Sequence, residues 1–268
     1  MFSPYYAWAR RRGFADPHDH VGLNVALYGP RGKRWALTER GRRALRREAD
    51  ALTLGPSRLE WDGDGLVVHV DEITVPFLSR LRGTVRLLPA TATDHVLHLD
   101  ADHQHRWTPF APAARVEVAF AQPALRWSGN GYFDGNAGAR PLEGDFAGWH
   151  WSRSHQPGGV RVYYDVTPRS TPRHAHALWF DRQGTVSDTA PPPAAELPRT
   201  LWRIGRTTHA MPEAGARVVR TLEDTPFYAR SLLDIAGTMT VHESLDLDRF
   251  RRPLVQALLP FRMPRRGG

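Results

Sequence analysis

Along this chain the apolar positions alternate with polar ones far more often than they recur at the helical period of about 3.6 residues. The segments GLNVALYG (22–29), RWALTER (34–40), GLVVHVDEI (65–73), LRGTVRLLP (81–89) and ARVEVAF (114–120) each set one side toward a core. VLHLD (96–100), FAGWHWSRS (146–154), VRVYYDV (160–166), AHALWFD (175–181) and TMTVHESL (238–245) continue the series. Each is short and bounded by Gly, Pro or Asp, which supply turn conformations. The pattern predicts an all-β chain of barrel- or sandwich-like units with few short helices.

Only two segments read as helix. TERGRRALRREAD (38–50) is polar almost all round. In the C-terminal segment 245–266, Asp248 is placed to cap a short helix that Pro260 stops. GPRGKRW (29–35) lacks the Gly-Lys-Ser/Thr ending of a phosphate loop and reads as a hairpin turn. TAPPPAAELP (189–198) reads as a linker or a long loop, and a softer break falls at RWTPFAPAA (106–114). Two β units are expected, 1–110 and 111–268.

Composition narrows the class. At 268 residues and 41% hydrophobic, the chain can bury a sizeable core. No apolar run approaches the roughly 18 residues of a membrane span. In MFSPYYAWARRRG the basic cluster follows the aromatics, the reverse of a secretory leader. With no cysteine there are no disulfides, thiolate metal sites or cysteine nucleophiles, and a cytoplasmic protein is expected. The net charge of +8 is carried by arginine, Lys33 being the single lysine. No nucleic-acid motif accompanies it, so no nucleic-acid partner is expected.

Three His-x-His pairs, His18/His20, His103/His105 and His174/His176, offer two imidazoles on one strand face, but no third ligand stands at useful spacing. No metal is therefore assigned. There is no Gly-x-Ser-x-Gly elbow and no Gly-rich strand–loop–helix unit. GNGYFDGNAG (129–138) reads either as an elaborate turn, with Asp134 and Asn136 bonding the backbone, or as a cavity mouth bearing Tyr132 and Asp134.

The stretch WHWSRSHQPGGVRVYYDV (149–166) gathers rings around one carboxylate. If Pro157-Gly158 closes a hairpin, His150 faces Asp165 and Ser152 faces Tyr163. Trp149, Trp151 and Tyr164 then share the other, hydrophobic face with Val162 and Val166.

FSPYYAWARRRG, LNVALYGPRGKRWALTERGR, GYFDGNAG, DFAGWHWSR, LEDTPFYARS and VHESLDLDRF…LLPFRMPR stand in order from residue 2 to 265. Together they resemble the carotenoid 1,2-hydratase (hydroxyneurosporene synthase) family. The resemblance implies two lipocalin-like units and addition of water to the terminal C1–C2 double bond of an acyclic carotenoid such as neurosporene or lycopene, with no cofactor. Family members continue upstream of FSPYYAW with an aromatic-rich segment. Here Met1 directly precedes Phe2, so the first unit is expected to lack its first strand.

Such a reaction needs an acid that keeps its proton near neutral pH and a surface that tolerates a carbocation. Burial raises a carboxyl pKa, and ring faces stabilise a cation by about 0.5–2 kcal/mol each. Asp165 is the expected proton donor, with His150 neutral beside it and Tyr163 as the third catalytic group. Trp149, Trp151, Tyr164, Tyr132 and Asp134 are the expected substrate-binding residues, Asp134 being the second-choice acid. A membrane-borne polyene implies peripheral contact with the inner or intracytoplasmic membrane. FRRPLVQALLPFRMPRR is the candidate segment, lying either on an anionic surface or on the protein itself. A non-catalytic isoprenoid or lipid carrier is the main alternative. A glycoside-cleaving protein would want two facing carboxylates where the hairpin has one.

Overall fold

A computed structural model describes residues 2–30 and 32–266. Its elements are almost all antiparallel strands, with one short parallel pair (Glu39–Arg40 beside Arg265–Arg266) and four short α-helices among the described residues, the all-β class that the alternation predicts. None of these helices is long and apolar enough to cross a membrane. The chain forms two compact units, one from residues up to Pro89, Arg115–Gly131 and residues from Gln256 on, the other from Ala90–Ala114 and Tyr132–Val255.

The first unit opens with α1 (Pro4–Arg11), a helix that periodicity does not reveal. Its signal is local: Ser3 accepts the Tyr6 N–H, and Pro4 fits the first helical turn, where no N–H is needed. β1 (Val21–Gly29) and β2 (Gly32–Arg40) form the expected hairpin, Gly29 opposite Gly32. Arg31 of that turn lies outside the described residues, as does Met1.

The helix expected over 38–50 does not form. Residues 38–40 end β2, a 3-10 turn follows at Arg42–Ala44, and β3 (Leu45–Arg47) begins. The reason is electrostatic. Glu39 is buried against the Ser3 hydroxyl, His20 and Arg265. Arg40 is buried in a two-pronged pair with Glu72, at 3.0 and 2.8 Å, and Ser57 donates to the same carboxylate at 2.8 Å. These charges face partners inside the protein rather than water, so the all-polar pattern does not mark a solvent-facing helix.

β4 (Ala51–Leu54), β5 (Ser57–Trp61), β6 (Leu66–Ile73) and β7 (Arg80–Pro89) follow, then β8 (Leu97–His98), β9 (His105–Gln122) and β10 (Leu125–Gly138). Their sheet runs β10-β9-β7-β6-β5-β4-β3, with β8 on β9. Ala36, Val70, Leu81, Val116, Val118 and Phe120 make a buried cluster in the first unit. The turn reading of 129–138 is overturned, because these residues belong to β10 and their polar side chains reach across strands.

In the second unit, α2 (Leu142–Asp145) precedes β11 (Phe146–Gln156), β12 (Gly159–Pro168), β13 (His174–Asp181) and β14 (Val186–Thr189). β15 (Ala194–Leu197), β16 (Arg206–His209), β17 (Ala216–Asp224), β18 (Tyr228–Ile235) and β19 (Thr238–Asp246) follow. The main sheet runs β14-β13-β12-β11-β19-β18-β17, and β15 pairs with β16. The proline-rich stretch 189–198 lies within this unit and leads into β15.

After β19 come α3 (Leu247–Phe250) and α4 (Pro253–Leu258). Asp246, not Asp248, caps α3 by accepting the Arg249 N–H at 2.9 Å; Asp248 instead pairs with Arg169 at 2.6 Å. In the C-terminal segment Val255, Gln256 and Met263 are buried, while Leu254 and Phe261 remain exposed.

Candidate active site

The β11–β12 hairpin has the register that its turn predicts. Gln156 pairs with Gly159, and Gly158 takes φ +95°, a left-handed conformation that glycine adopts without strain. His150 therefore stands opposite Asp165, Ser152 opposite Tyr163, and Trp151 opposite Tyr164.

On the polar face Asp165 is buried, but it is not a protonated acid. It accepts from His209 Nε2 at 3.0 and 3.1 Å and from Arg173 at 3.1 Å. His209 Nδ1 donates to the Pro192 carbonyl at 2.6 Å. Both ring nitrogens thus face acceptors, the arrangement of an imidazolium. Burial pushes the Asp165 carboxyl up, but the His209 hydrogen bond and charge, with Arg173, outweigh it and hold the group below its ordinary value. Burial likewise disfavours the charged His209, and Asp165 and the Pro192 carbonyl reverse that, raising its pKa. The expectation that burial alone would keep Asp165 protonated fails because a cationic partner is buried with it.

His150 does not orient Asp165 either. Its Nδ1 bonds the Ser244 hydroxyl at 2.9 Å, and its ring lies parallel to His242 at 6.1 Å. It is neutral, as expected, with burial and then the neighbouring His242 lowering its pKa to about 4. His242 donates from Nε2 to the Thr207 carbonyl at 3.0 Å, and burial lowers its pKa to about 4 as well. Tyr163 packs against the His209 ring at 5.3 Å. This face is a buried polar seam between the sheet and β16.

The tryptophan face is not merely hydrophobic. Tyr132, Asp134 and Asn136 alternate along β10 and so point the same way. Trp107 of β9, fully buried, donates its indole N–H to Asp134 Oδ2 at 2.6 Å, and the Tyr132 hydroxyl donates to the same oxygen at 3.1 Å. The Tyr132 ring lies 5.3 Å from Trp151, and Trp107 stands perpendicular to Tyr164 at 5.5 Å. Trp149 meets Tyr164 at 6.5 Å, and the Tyr164 hydroxyl donates to Asn136 Oδ1 at 3.3 Å. The Arg153 guanidinium sits 4.8 Å from the Tyr132 ring centre.

Asp134 has its pKa raised. Burial is the largest cause, the Trp107 and Tyr132 hydrogen bonds oppose it, and the charge of Glu243 adds to the rise. Tyr132, pushed well above the usual phenol value by burial and then by Asp134, is a hydrogen-bond donor at any working pH. With both donors on Oδ2, Oδ1 is the oxygen on which a proton of this carboxyl would sit. Trp149, Trp151, Tyr164, Tyr132 and Asp134 are thus brought together, while Asp165, His150 and Tyr163 face the other way.

Sequence reasoning missed Trp107 and His209. Trp107 was legible only as the partner in alternation of His105, two residues earlier on β9. His105 is buried, with Nε2 2.6 Å from Asp145. It lies so close to Gly138 that a Cβ there would collide with its ring. The remaining five histidines of the His-x-His pairs bond or stack elsewhere: His18 with Asp16, His20 with Glu39, His103 stacked on His98, His174 with the Pro172 carbonyl and edge-on to His176, and His176 with Asp188.

Fold and site together define an all-β protein in which one carboxylic acid of raised pKa is held by an indole and a phenol and walled by further rings. The family model for the carotenoid hydratase CrtC matches residues 1–268, and the chain belongs to that family. It is 55% identical over 273 residues to the acyclic carotenoid 1,2-hydratase of Thiocapsa roseopersicina, covering all of this chain and 67% of that protein. It is 43% identical to the acyclic carotenoid 1,2-hydratase of Cereibacter sphaeroides, of which it covers 96%. Among solved structures, a crystal structure of CghA with Sch210972 matches at a TM-score of 0.44 with 9% identity, covering 81% of each chain.

Proposed function

We propose that this protein adds water to the terminal C1–C2 double bond of an acyclic carotenoid, with Asp134 as the proton donor. The observation that carries the reading is the convergence of Trp107 and Tyr132 on one oxygen of a carboxyl whose pKa is raised. Two donors on Oδ2 fix the carboxyl plane and aim the Oδ1 proton.

In the first step the alkene π electrons take the Oδ1 proton at C2, the less substituted carbon. A tertiary cation remains at C1, and Asp134 becomes a carboxylate. Water then bonds to C1, and the resulting oxonium returns a proton to Asp134. Proton and water balance the reaction, so it is proposed without a cofactor. Tyr132, Trp149, Trp151 and Tyr164 supply ring surface that attracts a cation without attacking it. Asp165 takes a structural role through its pair with His209.

The substrate is an apolar polyene, so the protein is proposed to work from the cytoplasm, in peripheral contact with the inner or intracytoplasmic membrane that holds it. The test is expression of the wild type and Asp134→Asn in a host that accumulates lycopene or neurosporene, with pigments resolved by chromatography and mass. The wild type yields a product heavier by one water, and the variant does not. Unchanged pigment co-purifying with the wild type would make this a carrier instead.

A further inference from the structure

In the first unit a group of exposed apolar side chains is set among cations. The β6–β7 turn, residues 74–79, projects Phe77 and Leu78, which are 87% and 75% exposed. Side chains of this size and exposure are not what a hairpin tip needs for turning, where small or polar residues serve. The tip is nevertheless firmly held. The Thr74 hydroxyl bonds Ser79, and the Ser79 N–H returns to Thr74 at 2.9 Å. Val75 donates to the Trp35 carbonyl at 3.1 Å, and Arg34 donates to the Ser79 hydroxyl at 2.8 Å.

Those bonds place β2 beside the tip, and β2 leads on to the C-terminal segment. The Arg262 guanidinium lies 4.2 Å from the Trp35 ring centre. Its neighbour Phe261 is 73% exposed, and Leu258 is also exposed. Three stretches of chain, 32–37, 74–79 and 256–262, thus meet through named contacts, and none of them contains Asp or Glu. They do contain Lys33, Arg34 and Arg262.

Apolar tips flanked by Arg34, held on the Ser79 hydroxyl, and Arg262, held on the Trp35 ring, match the interface of an anionic bilayer, the neighbouring carboxylates Asp71 and Glu39 being neutralised by Arg80 and Arg265. Phe and Leu enter the boundary of headgroups and acyl chains, while arginines stay at the phosphate level. We propose that this surface docks the protein on anionic membrane lipid, with Phe77 and Leu78 as the inserted residues and Arg34 and Arg262 as the headgroup contacts. It deepens the reading that the substrate is drawn from a membrane. It is tested without substrate, so the failure of either is distinguishable.

Purified full-length protein is floated with empty phosphatidylcholine vesicles, with and without phosphatidylglycerol. The wild type is expected to bind the anionic vesicles about tenfold better than the neutral ones. F77S/L78S should lose binding to both by about tenfold or more while keeping the wild-type melting temperature. R34Q/R262Q should lose chiefly the preference for anionic lipid. Failure of the wild type to float with anionic vesicles overturns the proposal, as does wild-type flotation by F77S/L78S. If F77S/L78S instead converts a dimer to a monomer in sedimentation velocity, with vesicle binding unchanged, the surface joins copies of this chain and the membrane assignment is wrong.

Discussion

Trp107 gives its indole N–H to Asp134 Oδ2 at 2.6 Å, from a position with no exposure to water. An indole N–H cannot accept a hydrogen bond, so the bond has one direction and Oδ2 is always the acceptor. The carboxyl is therefore oriented in both protonation states, and burial decides which one predominates.

Asp134 serves as an acid only while protonated. Its pKa is raised, so hydration is expected to hold up beyond the pH at which an ordinary carboxyl ionises, and to decline as pH rises through the raised value. Asp134→Asn should lower turnover by about 10²–10⁴-fold below the raised pKa and show no declining limb. Asp134→Glu should keep a declining limb at reduced rate. The measurement is kcat/KM against pH on detergent-dispersed lycopene. A rate independent of pH in the wild type would remove Asp134 from the role of acid.

Asp165 and His209 are expected to matter for stability rather than turnover. The lowered Asp165 pKa stabilises the fold above the ordinary carboxylate value, and that stability is lost as pH falls through the lower folded value. The raised His209 pKa stabilises the fold below the ordinary imidazole value, and this is lost as pH rises through the higher folded value. The pair thus contributes most between the two ordinary values. Asp165→Ala leaves a buried imidazolium unpaired and should cost about 3–5 kcal/mol in urea unfolding near pH 6. Folded variant that loses all turnover at wild-type stability would restore Asp165 to the chemistry.

His150 and His242 work in the opposite sense. Each has its pKa lowered from 6.5 to about 4 by burial, so the unfolded chain takes up protons before the folded one does. Their contribution to stability falls as pH drops from about 6.5 to about 4. His242→Gln can still donate to the Thr207 carbonyl and no longer titrates. Its urea midpoint should depend less on pH across this interval than that of the wild type. An unchanged slope would place the acid sensitivity elsewhere.

The alternation of apolar residues shows the strands, and a two-residue turn sets the parity of the β11–β12 hairpin, so both can be read locally. Which face of that hairpin meets the working acid depends on strands brought up from elsewhere in the chain. Asp134 and Trp107 approach one face from β10 and β9, and His209 approaches the other from β16. Nothing in WHWSRSHQPGGVRVYYDV indicates that an imidazolium 44 residues away will ionise Asp165. The false helix at 38–50 has the same cause: Glu39 and Arg40 look solvent-facing until Arg265 and Glu72 are placed beside them.

Tyr132 and Trp107 share one acceptor oxygen, so their effects should not add. Trp107→Phe removes the shorter bond while keeping a ring, and leaves Tyr132 as the donor at 3.1 Å. Losing a donor to the carboxylate form raises the Asp134 pKa further, so the declining limb of the pH profile should move to higher pH. The acid stays protonated but is held by one bond instead of two, and turnover should fall by about tenfold. Tyr132→Phe keeps the ring under Arg153 and should do the same to a smaller extent, because its bond is longer. With both donors gone the carboxyl can rotate, and the double variant should lose more than the product of the two single losses. That excess is the signature of two donors holding one oxygen. Strictly multiplicative losses, with no movement of the limb, would mean that the two rings act only as walls of the site.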